Sequence, residues 1–123
     1  MIRLKKLLLT ALLLSTIGYL HAQYNGPHST DNIYTVKEVI DNASKLDKTD
    51  TLVKLKGYII EQLNKDSFWF KDESGKILVE IDKKDLSSVA FDENTEVTII
   101  GEVDYDLLEE IEIEVEQLFL SNP

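Results

Sequence analysis

Residues 68–82, Phe-Trp-Phe-Lys-Asp-Glu-Ser-Gly-Lys-Ile-Leu-Val-Glu-Ile-Asp, leave the chain little choice but a β-hairpin. Phe68, Trp69 and Phe70 favour a pleated, half-buried surface, and Asp72-Glu73-Ser74-Gly75 has the composition of a turn. Ile77, Val79 and Ile81 then alternate with Leu78, Glu80 and Asp82, the period of a strand with one face inward. Gly75 is expected to supply the positive φ that closes the loop.

Strand patterning continues on both sides. From about Leu52 to Leu63, Val53, Leu55, Gly57 and Ile59 share one face and Lys54, Lys56, Tyr58 and Ile60 the other. Gly57 in mid-strand predicts a bulge or sharp coil, as a long strand needs when it serves both halves of a small barrel. A fourth strand is expected over about Glu96 to Tyr105 with Val97, Ile99, Gly101 and Val103 inward. A fifth spans about Glu109 to Phe119, where Ile111, Ile113 and Val115 alternate with Glu110, Glu112, Glu114 and Glu116. One helical turn around Lys84-Asp85-Leu86 interrupts the connector between strands three and four. Before the strands, Thr35-Val36-Lys37-Glu38 fits a capping box, and Val36, Val39, Ile40 and Ala43 lie on one helical face. A short amphipathic helix from about Val36 to Ser44 is predicted, with Leu46 to Asp50 as the connection out of it. The fold class is therefore mainly β: a five-stranded antiparallel OB-fold barrel with a short N-terminal α-helix.

The first residues belong to export. Arg3, Lys5 and Lys6 precede the apolar run Leu7 to Leu20, and Ala22 is suited to signal peptidase, so residues 1–22 read as a secretory signal cleaved after Ala22. The run is short against the roughly 20 residues of a membrane span, and no basic stop-transfer cluster follows. No stable membrane insertion is expected after cleavage, and the location expected is the periplasm. Residues 23–34 form a polar N-terminal arm punctuated by Gly26-Pro27, and residues 35–123 a single OB-fold domain. Without Cys, lipid anchoring, disulfides and thiolate chemistry are excluded. Losing three basic residues with the leader takes the formal charge from −10 to −13. That charge opposes nucleic acid and anionic lipid and favours basic peptides, polyamines or divalent metals.

These segments, in this order, resemble the bacterial OB-fold (BOF) family of small periplasmic stress-tolerance proteins. The resemblance rests on the leader, Gly26-Pro27 and Thr35-Val36, then on Val53-Lys54-Leu55-Lys56-Gly57 and Phe70-Lys71-Asp72-Glu73-Ser74-Gly75. It continues through Val79-Glu80-Ile81-Asp82 and Val97-Thr98-Ile99-Ile100-Gly101-Glu102-Val103-Asp104. It departs at Leu86, where the family often has Trp, and at Tyr24-Asn25-Gly26-Pro27, a reduced form of the family's Gly-Phe-x-Gly-Pro. The resemblance implies a periplasmic domain without known catalysis, linked to tolerance of oxidative, acid and cationic-peptide stress in the envelope, and it supplies no catalytic residues.

The residue inventory agrees with a non-enzyme. His28 is the one His after the leader, no pair of carboxylates stands out as acid and base, and there is no glycine-rich phosphate loop, so no catalytic residue, cofactor or metal is assigned. The candidate ligand-binding residues are Lys54, Lys56, Tyr58, Trp69 and Lys71. Strand phase places them on the outer face of strands one to three, the usual OB-fold platform, where aromatics stack and lysines hold anions. Two readings of that face stay open: a platform for an envelope component such as a peptidoglycan glycan or peptide, or aromatics that merely cover one another beneath the helix or arm. The acidic set Asp104, Asp106, Glu109 and Glu110 could offer oxygen ligands to Ca²⁺ or stand as a solvated hairpin end. The expected function is non-catalytic periplasmic binding in envelope stress tolerance. The alternative is an acidic electrostatic sink for cationic peptides or divalent metals using the strand-five carboxylates.

Overall fold

The computed structural model describes residues 32–121; the expected signal segment 1–22, most of the expected polar arm including His28, and the last two residues lie outside the described residues. Five strands, β1 (Leu52–Gln62), β2 (Ser67–Asp72), β3 (Gly75–Ile81), β4 (Val97–Asp104) and β5 (Glu112–Leu120), close into a barrel in the order β1-β2-β3-β5-β4. Four of the strand pairs are antiparallel as expected, but β3 and β5 run parallel. The reason is topological: the 82–96 connector carries the chain from β3 across to the far side of β1. β5, returning antiparallel to β4, then closes the ring in the same direction as β3.

The inward side chains are the alternating set read from the sequence, with Val53, Leu55, Phe70, Val79, Ile81, Val97, Ile99 and Ile113 fully buried. One end of the barrel is plugged by two short helices, α1 (Val36–Asp41) and α2 (Ala43–Lys48), through Val36, Val39, Ala43 and Leu46. The capping box at Thr35 and Glu38 forms as predicted. The single helix of the sequence reading breaks at Asn42, whose side-chain amide donates to the Glu38 carbonyl at 2.8 Å. Helix then resumes through the segment expected as a connection, because Leu46 is drawn into the core. The other end is covered by the connector, which makes a 3₁₀ turn at Lys83–Asp85 and packs Leu86 and Phe91 on the core.

Two glycine expectations are corrected. Gly75 does not adopt positive φ. It pairs with Asp72 in the ladder, and Asp72 Oδ1 closes the turn instead by accepting from the Ser74 N–H at 2.8 Å, the Ser74 hydroxyl at 2.6 Å and the Gly75 N–H at 3.2 Å. The bulge in β1 falls at Ile60 rather than Gly57. Gly57 instead marks the hand-over where β1 stops pairing with β4 and starts pairing with β2. A Cβ there would lie 2.3 Å from the Lys71 carbonyl oxygen and 2.7 Å from Phe70 Cζ, so only glycine admits the close crossing.

Candidate binding surfaces

On the outside of the β2–β3 hairpin, Trp69 stands opposite Leu78 and Lys71 opposite Lys76. The Lys76 ammonium lies 4.6 Å from the centre of the Trp69 ring, a cation–π contact. Beside this pair the β4–β5 loop carries Leu107 and Leu108, 84% and 93% exposed. The Asp106 carboxylate holds that loop by accepting the Leu108 N–H at 2.9 Å. Trp69, Lys76, Leu107, Leu108, Glu109 and Glu110, with Ile40 of α1, line an open groove of about 480 Å³. This is the face of strands two and three flanked by the β4–β5 loop that OB-folds commonly present to ligands.

The five residues predicted from strand phase do not form one site. Trp69 lines the groove just described, while Lys56 and Tyr58 line a second of about 570 Å³ with Tyr34, Ser74 and Glu96. Lys71 faces Tyr58 across β1–β2 and Lys76 across β2–β3. Lys54 is half-buried at the arm, its carbonyl accepting the Tyr34 N–H at 2.8 Å. Sequence reasoning missed Lys76, Leu107, Leu108, Ile40 and Tyr34. The signal in the sequence is a Leu-Leu pair set among carboxylates at a loop tip, Asp106 to Glu110.

The acidic cluster also lies elsewhere than the Asp104, Asp106, Glu109, Glu110 set. Glu80, Glu112 and Glu114 bring carboxylate oxygens within 4.8 Å of one another on the outside of the parallel β3–β5 seam. Glu80 stands opposite Glu114 on β3, and Glu102 and Asp104 of β4 stand opposite Glu114 and Glu112. Burial, then a hydrogen bond with Glu80, then the charges of Glu80, Asp104 and Glu114 push the Glu112 carboxyl up from 4.5 to about 7. Burial, with the charges of Asp104, Glu80, Glu102 and Asp47, also raises that of Glu114. An all-oxygen set of this kind suits a hard divalent cation such as Ca²⁺.

The family model described as "Bacterial OB fold (BOF) protein" matches residues 19–119. The chain is 38% identical to the calcium-regulated OB-fold protein CarO of Pseudomonas aeruginosa over 103 residues, which span 83% of this chain and 84% of that one. It is 40% identical over 84 residues to protein YgiW of Escherichia coli, across 68% of this chain and 63% of that protein. The solved structure of YgiW superposes with a TM-score of 0.63 at 37% identity, covering 81% of this chain and 99% of that one. The asparaginyl-tRNA synthetase of Pyrococcus horikoshii is similar in fold alone, with a TM-score of 0.55 at 19% identity over 74% of this chain and 22% of that one.

Proposed function

Because the chain belongs to the family of bacterial OB-fold proteins, we propose that it is a non-catalytic periplasmic binding protein contributing to envelope stress tolerance. In this reading residues 1–22 direct export, and the ligand is an envelope component such as a peptidoglycan glycan or peptide. The observation that carries it is the groove around Trp69: an aromatic ring, an ammonium and two solvent-facing leucines on the OB-fold ligand face. A pyranose ring has apolar faces that stack on indole and hydroxyls that Lys76 and Glu110 can hydrogen-bond. Nucleic acid is disfavoured by the net charge of −10.

The test is titration of the chain with soluble peptidoglycan fragments, followed by the fluorescence of Trp69, the one Trp in the sequence. A saturable, salt-resistant shift, with calorimetric binding lost in Trp69→Ala, supports the reading. An unmoved signal and no heat of binding refute it.

A second reading, the cation sink, is favoured by the Glu80–Glu112–Glu114 cluster and by a relative described as calcium-regulated. Cationic peptides or Ca²⁺ would relieve the repulsion among these carboxylates. Calorimetry with Ca²⁺ on the chain and on Glu112→Gln/Glu114→Gln decides it: binding that the double substitution leaves intact rules the cluster out.

A further inference from the structure

β4 pairs with β1 only as far as Gly57, so along Tyr58–Gln62 the edge of β1 away from β2 carries no strand among the described residues. Among the described residues no backbone hydrogen bond reaches that edge from the 82–96 connector. The edge therefore presents unpaired N–H and C=O groups, the template on which an extended segment can add as a strand. Beside it lies a trough of about 380 Å³ with Ile60, Phe68, Leu86, Val89 and Phe91 in its walls. Ile60, at the β-bulge and on the outer face of β1, is 38% exposed, and Val89 is 62% exposed. Its charged margin is Glu61, Asp92 and Glu93, and no basic residue lines it among the described residues.

We propose that the Tyr58–Gln62 edge and this trough take an extended basic peptide segment of a partner protein by strand addition. The segment occupies the place that β4 leaves empty past Gly57. Its alternate apolar side chains enter the trough beside Ile60 and Val89, and its lysines or arginines meet Glu61, Asp92 and Glu93. The edge supplies register, the trough selects small branched side chains, and the acidic margin sets the charge of the partner. The surface is separate from the groove at Trp69, and neither reading depends on the other.

The probe is a fluorescein-labelled, end-capped octapeptide of alternating valine and lysine, titrated onto the full mature chain by fluorescence anisotropy. Three peptides distinguish the causes: the probe itself, a copy N-methylated at alternate residues so that one edge cannot donate, and a valine–glutamate counterpart. The probe is expected to bind and to slow hydrogen exchange at the amides of Tyr58–Gln62. N-methylation, Val89→Asp and Glu61→Lys should each weaken it by about tenfold or more. Val89 is largely exposed, so Val89→Asp keeps the fold and leaves the Trp69 titration with peptidoglycan fragments unchanged. The proposal is overturned if the probe does not bind. It also falls if the N-methylated or acidic copy binds as well as the probe, or if protection appears elsewhere in the barrel.

Discussion

Asp72 Oδ2 accepts the backbone N–H of Val36 at 2.9 Å, tying the tip of the β2–β3 hairpin to the first turn of α1. The other oxygen of the same carboxylate closes the hairpin turn, and Ser74 Oγ accepts the next helix amide, that of Lys37, at 3.0 Å. One side chain thus holds a turn and docks the helix that plugs the barrel.

Asp72→Ala leaves the Val36 N–H without its partner and opens the turn, and its expected cost is about 2–3 kcal/mol of stability. Asp72→Asn retains one acceptor oxygen and should lose roughly half as much. Urea denaturation of the three proteins checks the order. Equal midpoints for Asp72→Ala and the parent would show that the carboxylate does not dock the helix.

The crossing at Gly57 makes a second expectation. Gly57→Ala drives a methyl to 2.3 Å from the Lys71 carbonyl oxygen, against backbone and the fully buried Phe70, and should cost about 3 kcal/mol or more. Gly75→Ala meets only Val36 Cγ1 at 3.6 Å, so its effect should stay within about 0.5 kcal/mol. Thermal unfolding of the two variants side by side separates a packing role from a general intolerance of side chains at glycine.

The barrel was legible because its signals are local. Ile77, Val79 and Ile81 alternate, as do Val53 and Leu55, and a strand buried on one face has one register that satisfies such a pattern. What escaped depends on partners distant in sequence. The continuation of helix past Asn42 turns on the core that receives Leu46, and the direction of β5 relative to β3 turns on where the connector lays β4. At β5 a register shift past Val115 inverts the alternation, so Leu118 and Leu120 pack on the core and Phe119 faces solvent. The candidate site followed the same division. Strand phase placed Trp69, Lys71, Lys56 and Tyr58 outside, but only the fold could show that α1 and the β4–β5 loop draw Trp69 into one groove and Tyr34 draws Tyr58 into another.

The β3–β5 seam predicts an unusual pH dependence. Glu112 is raised from 4.5 to about 7 in the folded chain, so between those values the unfolded chain has released its proton while the folded chain still holds it. Stability from this group is complete below about pH 4.5 and falls as pH rises toward 7. Because the side chain is only part-buried, solvent screening reduces the effect to roughly 1–2 kcal/mol. Glu112→Gln keeps a donor toward Glu80 without the charge. Melting temperatures across pH 4 to 8 should show the substitution stabilising at the upper end and neutral at the lower, and a variant as pH-sensitive as the parent would disprove the assignment.

Leu107 and Leu108 allow binding to be separated from folding. At 84% and 93% exposure they bury almost nothing, so Leu107→Ser/Leu108→Ser should change stability by no more than about 0.5 kcal/mol. Two adjacent leucines held in water by the Asp106 turn gain from burial only when something covers the groove, and fully covering one yields about 1.5–3 kcal/mol. A ligand seated against Trp69 should therefore bind the double variant at least about tenfold more weakly, with the melting temperature unmoved. Isothermal calorimetry with peptidoglycan fragments, run beside a thermal melt of the same preparation, reads both quantities. Unchanged affinity with an unchanged melt would detach the loop from the binding surface and leave Trp69 and Lys76 to act without it.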